Sequence, residues 1–399
     1  MGNPIHVCII TCGHLVDDVR VSNKVAQSFR SNGFDVTWVG PENAFYDPIH
    51  YDRYGIHYHL FPIGKGKLGR LLRSFKPYRY GIKVPDVDVF YAPDPDGAIA
   101  AVRLAKKNGA RVIFDIHEIY HDAMLGHWVK GLPAKIAGNI LQMILSRLCS
   151  ISDLVIGVSQ SVLKPFRATS TEKIVVRNLA LAWFAESESA KICVDGKSTF
   201  TFMHGKVGST RGTSVVLEAL KIAKPQIRGL KCIMFDVFQG SPQSSGLDDF
   251  YQQLNTLELQ DVVELRHVVP MQEMPAILFT CDVGLIAYNR QLGADSLPNR
   301  FFEYMAAGLP VIVPSYSPEM CRIIKSENCG LSVDFENPAE LADRMVYLFQ
   351  NPKTCLEMGS KSKVAFEKRH HWQAEIQPVL DRIQGWFPDR TNHHKNNAY

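Results

Sequence analysis

The sequence predicts an α/β protein of two doubly wound, Rossmann-like domains. Short β-branched runs alternate with helical patterns over residues 6–158, and a second alternation restarts at Phe200. Between the two lies a polar, small-residue stretch at 181–198. A chain of 399 residues is also long for one core and comfortable for two of roughly 180 residues each.

In the first half, His6–Thr11, Asp35–Val39, Val87–Tyr91, Arg111–Asp115 and Leu154–Val158 read as buried parallel strands, apolar on both faces. Helical stretches at Val21–Asn32, Gly97–Lys107 and Leu132–Leu148 separate them. In the second half the strands are Phe200–His204, Lys231–Phe238, Val262–Leu265, Val283–Ile286, Val311–Val313 and Leu331–Val333. The predicted division is 1–182 for the first domain, 183–198 for a linker and 199–365 for the second domain. A closing helix over 366–388 and a polar tail over 389–399 follow.

Composition narrows the function classes. Hydrophobic residues at 46% and charged residues at 21% describe a globular chain, not a disordered one. A net charge of +4 is too mild to argue for nucleic acid, so none is expected as a partner. The nine cysteines form no C-x-x-C pair, which reads as reduced, mostly buried thiols and no zinc site. The opening MGNPIHVCIITCGH runs into an apolar strand with no basic segment ahead of it, so a cytoplasmic location is expected.

The sharpest segment is Asp295-Ser-Leu-Pro-Asn-Arg-Phe-Phe-Glu303-Tyr-Met-Ala-Ala-Gly308-Leu-Pro310. Pro298 suits the first turn of a helix, whose free N–H groups at Leu297, Pro298's neighbour Asn299 and Arg300 would meet a pyrophosphate at the positive end of the dipole. Glu303 lies further along, where a carboxylate can accept two ribose hydroxyls, and Asp295 stands before the helix, placed for sugar hydroxyls. Gly308 and Pro310 close the helix and launch a buried strand. The same residues also fit an ordinary amphipathic helix with a surface Glu and a capping Asp.

A second constellation is His204-Gly205-Lys206-Val207-Gly208-Ser209-Thr210-Arg211-Gly212, which follows a strand and opens a helix. Lys206 and Arg211 aimed at a diphosphate would stabilise charge on a leaving phosphate. The alternative is a glycine-rich turn with solvated charges.

Three loops at strand ends of the first half carry polar residues, where open α/β sheets place ligands. They are Cys12-Gly13-His14 with Asp18-Val-Arg20-Val21, then Asp94-Pro-Asp96-Gly97, and Asp115-Ile-His117-Glu118. Gly13 allows close backbone approach to a substrate. Asp94-x-Asp96 also matches a metal-binding D-x-D pattern, but Asp86-x-Asp88 does so too, which shows how weak the pattern is. Residues 64–83, GKGKLGRLLRSFKPYRYGIK, hold seven cations and no acid, with Leu68, Leu71, Leu72 and Phe75 on one helical face ended by Pro77. That fits an anionic membrane surface or a core-packed helix with solvated basic edges.

These motifs resemble the family 4 retaining glycosyltransferases over nearly the whole chain, from Cys12 to about Phe366. Family members pair an acidic residue with a Glu after seven intervening residues, as Asp295 and Glu303 do, although Glu is commoner at the first place. They also carry a basic pair in the glycine-rich loop, usually Arg before Lys, where this chain has Lys206 before Arg211. The resemblance implies the GT-B fold, with two domains facing a cleft and a C-terminal helix crossing back to the first domain.

It further implies a hexosyltransferase that moves a sugar from a nucleoside diphosphate, UDP by family frequency, to a hydroxyl with retention and without a metal or other cofactor. His117, Lys206, Arg211 and Asp295 would be catalytic. Gly13, Gly205, Leu297, Pro298, Asn299, Arg300 and Glu303 would hold the donor, and His14, Asp18, Arg20, Asp94 and Asp96 the acceptor. Lipid-linked glycans or cell-surface polysaccharide precursors are the acceptors implied, with peripheral attachment at the inner face of the cell membrane through 64–83. Two rivals share the same features: a UDP-sugar 2-epimerase of this fold, and a non-catalytic nucleotide-sugar-binding or membrane scaffold protein.

Overall fold

A computed structural model describes residues 3–42, 55–63, 74–116, 132–186, 199–208, 211–236, 245–294 and 296–390. The chain divides into two compact units, Met1–Arg177 with Glu375–Tyr399, and Asn178–Ala374. The first boundary falls before the expected 182 because Leu179, Ala180 and Phe184 are buried in the second unit's core. The return falls after the expected 366. The helix Pro352–Arg369 packs in the second unit, and a separate helix, Trp372–Trp386, carries the chain back. Residues 187–198 and 391–399, in the expected linker and tail, lie outside the described residues.

The first unit is a seven-stranded parallel sheet of β1 (His6–Ile10), β2 (Asp35–Pro41), β3 (His57–Phe61), β4 (Val89–Ala92), β5 (Arg111–Ile116), β6 (Leu154–Gly157) and β7 (Lys173–Val175). Its order is β3-β2-β1-β4-β5-β6-β7. Sequence periodicity missed β3 and β7. Both are edge strands and only partly buried, so neither shows the unbroken apolar run of a central strand. Where one helix was expected over 21–32, a π-type turn at Val21–Ala26 leads into an α-helix at Gln27–Ser31.

The returning chain is fixed to this unit by Glu375, whose carboxylate accepts from Arg177 Nε at 2.7 Å, Arg177 Nη2 at 2.8 Å and the Arg177 backbone N–H at 2.9 Å. A two-pronged guanidinium–carboxylate pair fixes direction as well as distance. The last residue before the chain leaves the first unit is thus tied to the first after it returns.

The second unit is a six-stranded parallel sheet of β8 (Phe200–Lys206), β9 (Leu230–Asp236), β10 (Val263–His267), β11 (Val283–Leu285), β12 (Val311–Pro314) and β13 (Gly330–Val333). The order is β10-β9-β8-β11-β12-β13. Strand alternation sends Cys232 and Met234 to one face and Ile233 and Phe235 to the other, each into its own helix-covered core. In both sheets the order of strand addition reverses beside the first strand, at β1/β4 and at β8/β11, and such switch points open the crevices where ligands of these sheets sit.

Candidate functional site

At the β8/β11 switch point the pairing of β8 with β9 slips between Met203 and Gly205, so His204 is a bulge. Bulges re-aim side chains and release ladder groups beside functional sites. Here the freed His204 carbonyl accepts from Arg300 Nη1 at 2.9 Å. Gly205 follows at φ +89°, and a Cβ there would stand 2.2 Å from the same Arg300 nitrogen. Only glycine lets the guanidinium lie against the strand end at this φ.

The loop then folds back on itself. Thr213 Oγ1 accepts the Gly208 N–H at 2.9 Å and lies 3.2 Å from His204 Nε2. Gly212, at φ +62°, precedes the helix Thr213–Ala223, and a Cβ on it would meet the Ala287 carbonyl at 2.4 Å. The β8 loop therefore packs closely on the chain leaving β11. From that chain Tyr288 reaches across: its hydroxyl accepts from Arg211 Nη1 at 2.8 Å. The Arg211 and Arg300 guanidinium carbons lie 5.1 and 5.9 Å from the centre of the Tyr288 ring.

Lys206, Arg211 and Arg300 thus gather at one corner. Among the described residues none of them has an ion pair, whereas Arg290 in the same unit is paired to Asp334 at 2.7 Å and Glu336 at 2.8 Å. The concentration of positive charge is felt by its neighbours. Burial, with the charges of Arg300 and Arg211, pushes His204 down to about 3, so its imidazole stays neutral at ordinary pH. Partial burial and the same two arginines lower the Lys206 ammonium. Uncompensated cations at a switch point favour an anion there.

The helix Asn299–Ala306 supplies Arg300 and Glu303. Pro298 is its cap and not its first helical residue as expected, since its extended ψ of 146° lies outside the helix. Leu297 packs against the core beneath. Asn299 donates from its side-chain amide to Glu303 Oε1 one turn on, which steers that partly exposed carboxylate. The helix closes as expected. Gly308, at φ +66°, donates to Met305 and Leu309 to Tyr304, the paired bonds of a Schellman cap. Asp295 lies outside the described residues.

In the first unit, the β1/β4 switch point brings together Gly13, His14, Asp18, Asp94 and Asp96, but the side chains take different roles. Asp94 is buried and accepts from the backbones of Cys12 at 2.8 Å, Gly13 at 3.0 Å and Gly97 at 2.7 Å, and from the Thr11 hydroxyl. Three of these donors converge on Oδ2 and the Gly97 N–H takes Oδ1, so its role is to cap the helix Pro95–Asn108 and fold the β1 loop, in place of the acceptor contact expected.

Arg20 departs from expectation in the same way. It is buried and donates to both oxygens of Asp115, each at 3.2 Å, and to the Val176 carbonyl at 3.1 Å. Tyr91 donates to Asp115 as well, at 2.5 Å. A buried carboxylate needs such partners, and here they lock the β1, β4 and β5 ends together.

His14 and Asp18 remain partly exposed, with His14 Nδ1 3.0 Å from Asp18 Oδ2. Burial pulls the His14 pKa down, but the Asp18 bond and the charges of Asp18, Asp94 and Asp115 outweigh it, and the net shift is upward. Asp96 sits in the first turn of the capped helix, partly buried. His117 lies outside the described residues, as do residues 64–73 of the basic segment. The remainder of that segment forms a helix, Lys76–Gly81, with Pro77 in its first turn and not as its terminator, a place where the missing N–H costs nothing.

Spacing along the sequence marks Arg300 only by its backbone N–H, and it assigns no role to Tyr288, His204 or Thr213. One clue was available: a cation in the first turn of a helix opposes the dipole and calls for a reason.

Two family models match the chain, "Glycosyltransferase Family 4" over residues 19–177 and "Glycosyl transferases group 1" over residues 185–364. The spore coat protein SA of Bacillus subtilis (strain 168) is 26% identical over 199 residues, 49% of this chain and 51% of that protein, so the chain spans about half the length of the curated relative it matches. The glycosyltransferase from Rickettsia africae ESF-5 has a TM-score of 0.75 at 15% identity, covering 99% of this chain and 100% of that one. The Anabaena protein HepE in complex with UDP gives 0.70 at 13% identity, covering 96% and 100%. At these identities the likeness is one of fold.

Proposed function

We propose that this chain, which belongs to the family 4 glycosyltransferases and has their GT-B fold, moves a sugar from a nucleoside diphosphate to a hydroxyl acceptor with retained configuration. The observation that carries the reading is the convergence of Lys206, Arg211 and Arg300, without carboxylate partners among the described residues, at the β8/β11 switch point. A diphosphate neutralises such a corner. As the glycosidic bond breaks, charge grows on the leaving phosphate, and cations fixed in advance stabilise it without reorganising.

In this reading Arg211 is held by Tyr288 and Arg300 by the His204 carbonyl, so both guanidinium groups are pre-positioned. The neutral His204 packs behind them and adds no charge. Glu303, steered by Asn299, takes the ribose hydroxyls, and Asp295 takes the sugar. UDP is the favoured nucleotide, supported by the HepE complexes with UDP and UDP-glucose. His14, Asp18 and Asp96 face the acceptor, while Asp94 and Arg20 shape the loops that present them. The three cations supply the charge a metal would otherwise bring, so turnover proceeds without one.

A lipid-linked glycan or polysaccharide precursor as acceptor, a cytoplasmic location and contact with an anionic membrane through 64–83 complete the proposal. Among the described residues no helix is long and apolar enough to cross a membrane.

Release of UDP from UDP-sugars, measured with and without chelator and with a hydroxyl acceptor, tests the chemistry. Acceptor-stimulated release that a chelator leaves unchanged is expected. Conversion of a UDP-sugar into its epimer without release would favour the 2-epimerase, and UDP binding without turnover the silent binding protein.

A further inference from the structure

Tyr288 holds Arg211, but its own backbone stands outside the sheet. The Ile286 N–H donates to the Ile312 carbonyl at 3.0 Å as the chain leaves β11. A tight turn follows, with the Tyr288 N–H donating to the Ile286 carbonyl at 3.0 Å. Past that turn, Gly212 presses on the Ala287 carbonyl from one side. The Tyr288 carbonyl accepts from the Tyr316 hydroxyl, two residues beyond β12. A carbonyl released from a ladder needs such a donor.

Tyr316 is braced in turn. Its ring lies against Gly293, where a Cβ would stand 2.8 Å from Cε2 and 3.4 Å from the Tyr288 Cβ. Arg290 covers the ring, its guanidinium carbon 4.7 Å from the centre. That guanidinium is fixed by Asp334 at 2.7 Å and Glu336 at 2.8 Å, both just past β13. Burial, with the charges of Glu336 and Asp334, pushes the Tyr316 phenol up to about 12, so it keeps the proton it donates. One relay of side chains therefore joins the ends of β11, β12 and β13. It runs from Asp334 and Glu336 through Arg290, Tyr316 and Tyr288 to Arg211, which has no carboxylate partner among the described residues.

The exposed Arg290 pairs contribute little to stability, because water screens them. Direction is what the relay supplies. The Tyr288 hydroxyl can aim Arg211 only while the backbone beneath it is fixed, and a shift of about 1 Å in a supporting group is enough to weaken a site. We propose that Tyr316 is a positioning residue for the diphosphate: it fixes the Tyr288 backbone and so the direction of Arg211, while Arg290 keeps the Tyr316 ring in place. This rests on the reading of the corner as a diphosphate site and extends it to two residues that act at one remove from the ligand.

The test is calorimetric titration of the full chain with UDP and GDP, for wild type, Tyr316→Phe, Arg290→Gln, Arg211→Ala and the two double variants with Arg211→Ala. Tyr316→Phe keeps the ring and removes the donor, and it should weaken diphosphate binding about three- to tenfold. Arg290→Gln should weaken it about two- to fivefold. Both losses should vanish in the Arg211→Ala background, because they reach the ligand through Arg211. A brace that only stabilises the fold would give the same loss in both backgrounds, and that result overturns the proposal. So does Tyr316→Phe binding as tightly as wild type. A cooperative thermal unfolding transition checks each variant; should Tyr316→Phe lack one, Arg290→Gln, at an exposed position, decides by the same two criteria. Wild type that binds neither diphosphate overturns this proposal together with the reading beneath it. Wild type that binds, and binds less tightly as Arg211→Ala, while Tyr316→Phe and Arg290→Gln are unchanged, overturns this proposal alone.

Discussion

Arg300 donates to the His204 carbonyl at 2.9 Å, joining the first turn of the Asn299–Ala306 helix to the bulged end of β8. The bond converts a glycine-rich loop and a distant helix into one cationic corner. Arg300 is accordingly expected to contact the diphosphate. Arg300→Ala should weaken UDP binding roughly 10- to 150-fold, the equivalent of one charge-assisted hydrogen bond of about 1.5–3 kcal/mol. Calorimetric titration checks this, and Arg300→Lys should restore part of the affinity.

Gly205 is the residue that makes room for that guanidinium. Gly205→Ala places a side chain at φ +89° and against Arg300. A loss of about 1–3 kcal/mol in unfolding free energy is expected from the backbone alone. Denaturant unfolding of the single variants and of Gly205→Ala/Arg300→Ala would show a double variant less destabilised than the sum, because one partner of the clash is gone.

Arg20 separates a structural role from an acceptor-binding one. Arg20→Ala leaves Asp115, wholly buried, without its two guanidinium bonds. The expected cost is about 3–5 kcal/mol of stability. A variant that keeps wild-type stability and loses only acceptor affinity would return Arg20 to the acceptor side.

The His14–Asp18 pair predicts a pH dependence. The folded His14 pKa is raised above the unfolded value, so the pair's contribution is fully present below the unfolded pKa and fades as pH rises through the folded one. Thermal midpoints measured from acid to alkaline pH should therefore show Asp18→Asn losing most, relative to wild type, at the acid end. The difference should narrow toward high pH. Asp18 also accepts the Val21 N–H at 2.7 Å, a bond the Asn oxygen can keep.

Much of this architecture was legible in the sequence because central parallel strands are buried on both faces. Val7–Ile10 and Val311–Val313 announce themselves as unbroken apolar runs. The edge strands β3 and β7 carry no such mark. Lys206, Arg211 and Glu303 stood out by spacing, since a loop that cradles an anion needs its glycines and cations at fixed offsets. What spacing could not reveal was which charged side chains are consumed by the fold. Asp94 and Arg20 look like ligands in a one-dimensional reading, and only the third dimension supplies the backbone donors and the buried Asp115 that claim them. Tyr288 was invisible for a related reason. Its partner Arg211 lies 77 residues away, and no local pattern joins them.

The most direct measurement is the affinity of the full chain for UDP, GDP and UMP by calorimetry, for wild type and Arg211→Ala. If Lys206, Arg211 and Arg300 hold a diphosphate, at least one nucleoside diphosphate binds and UMP binds far more weakly. Affinity should fall as salt rises, and Arg211→Ala should lose roughly tenfold or more. Equal affinity of wild type and Arg211→Ala, or no binding of either diphosphate, would contradict the account.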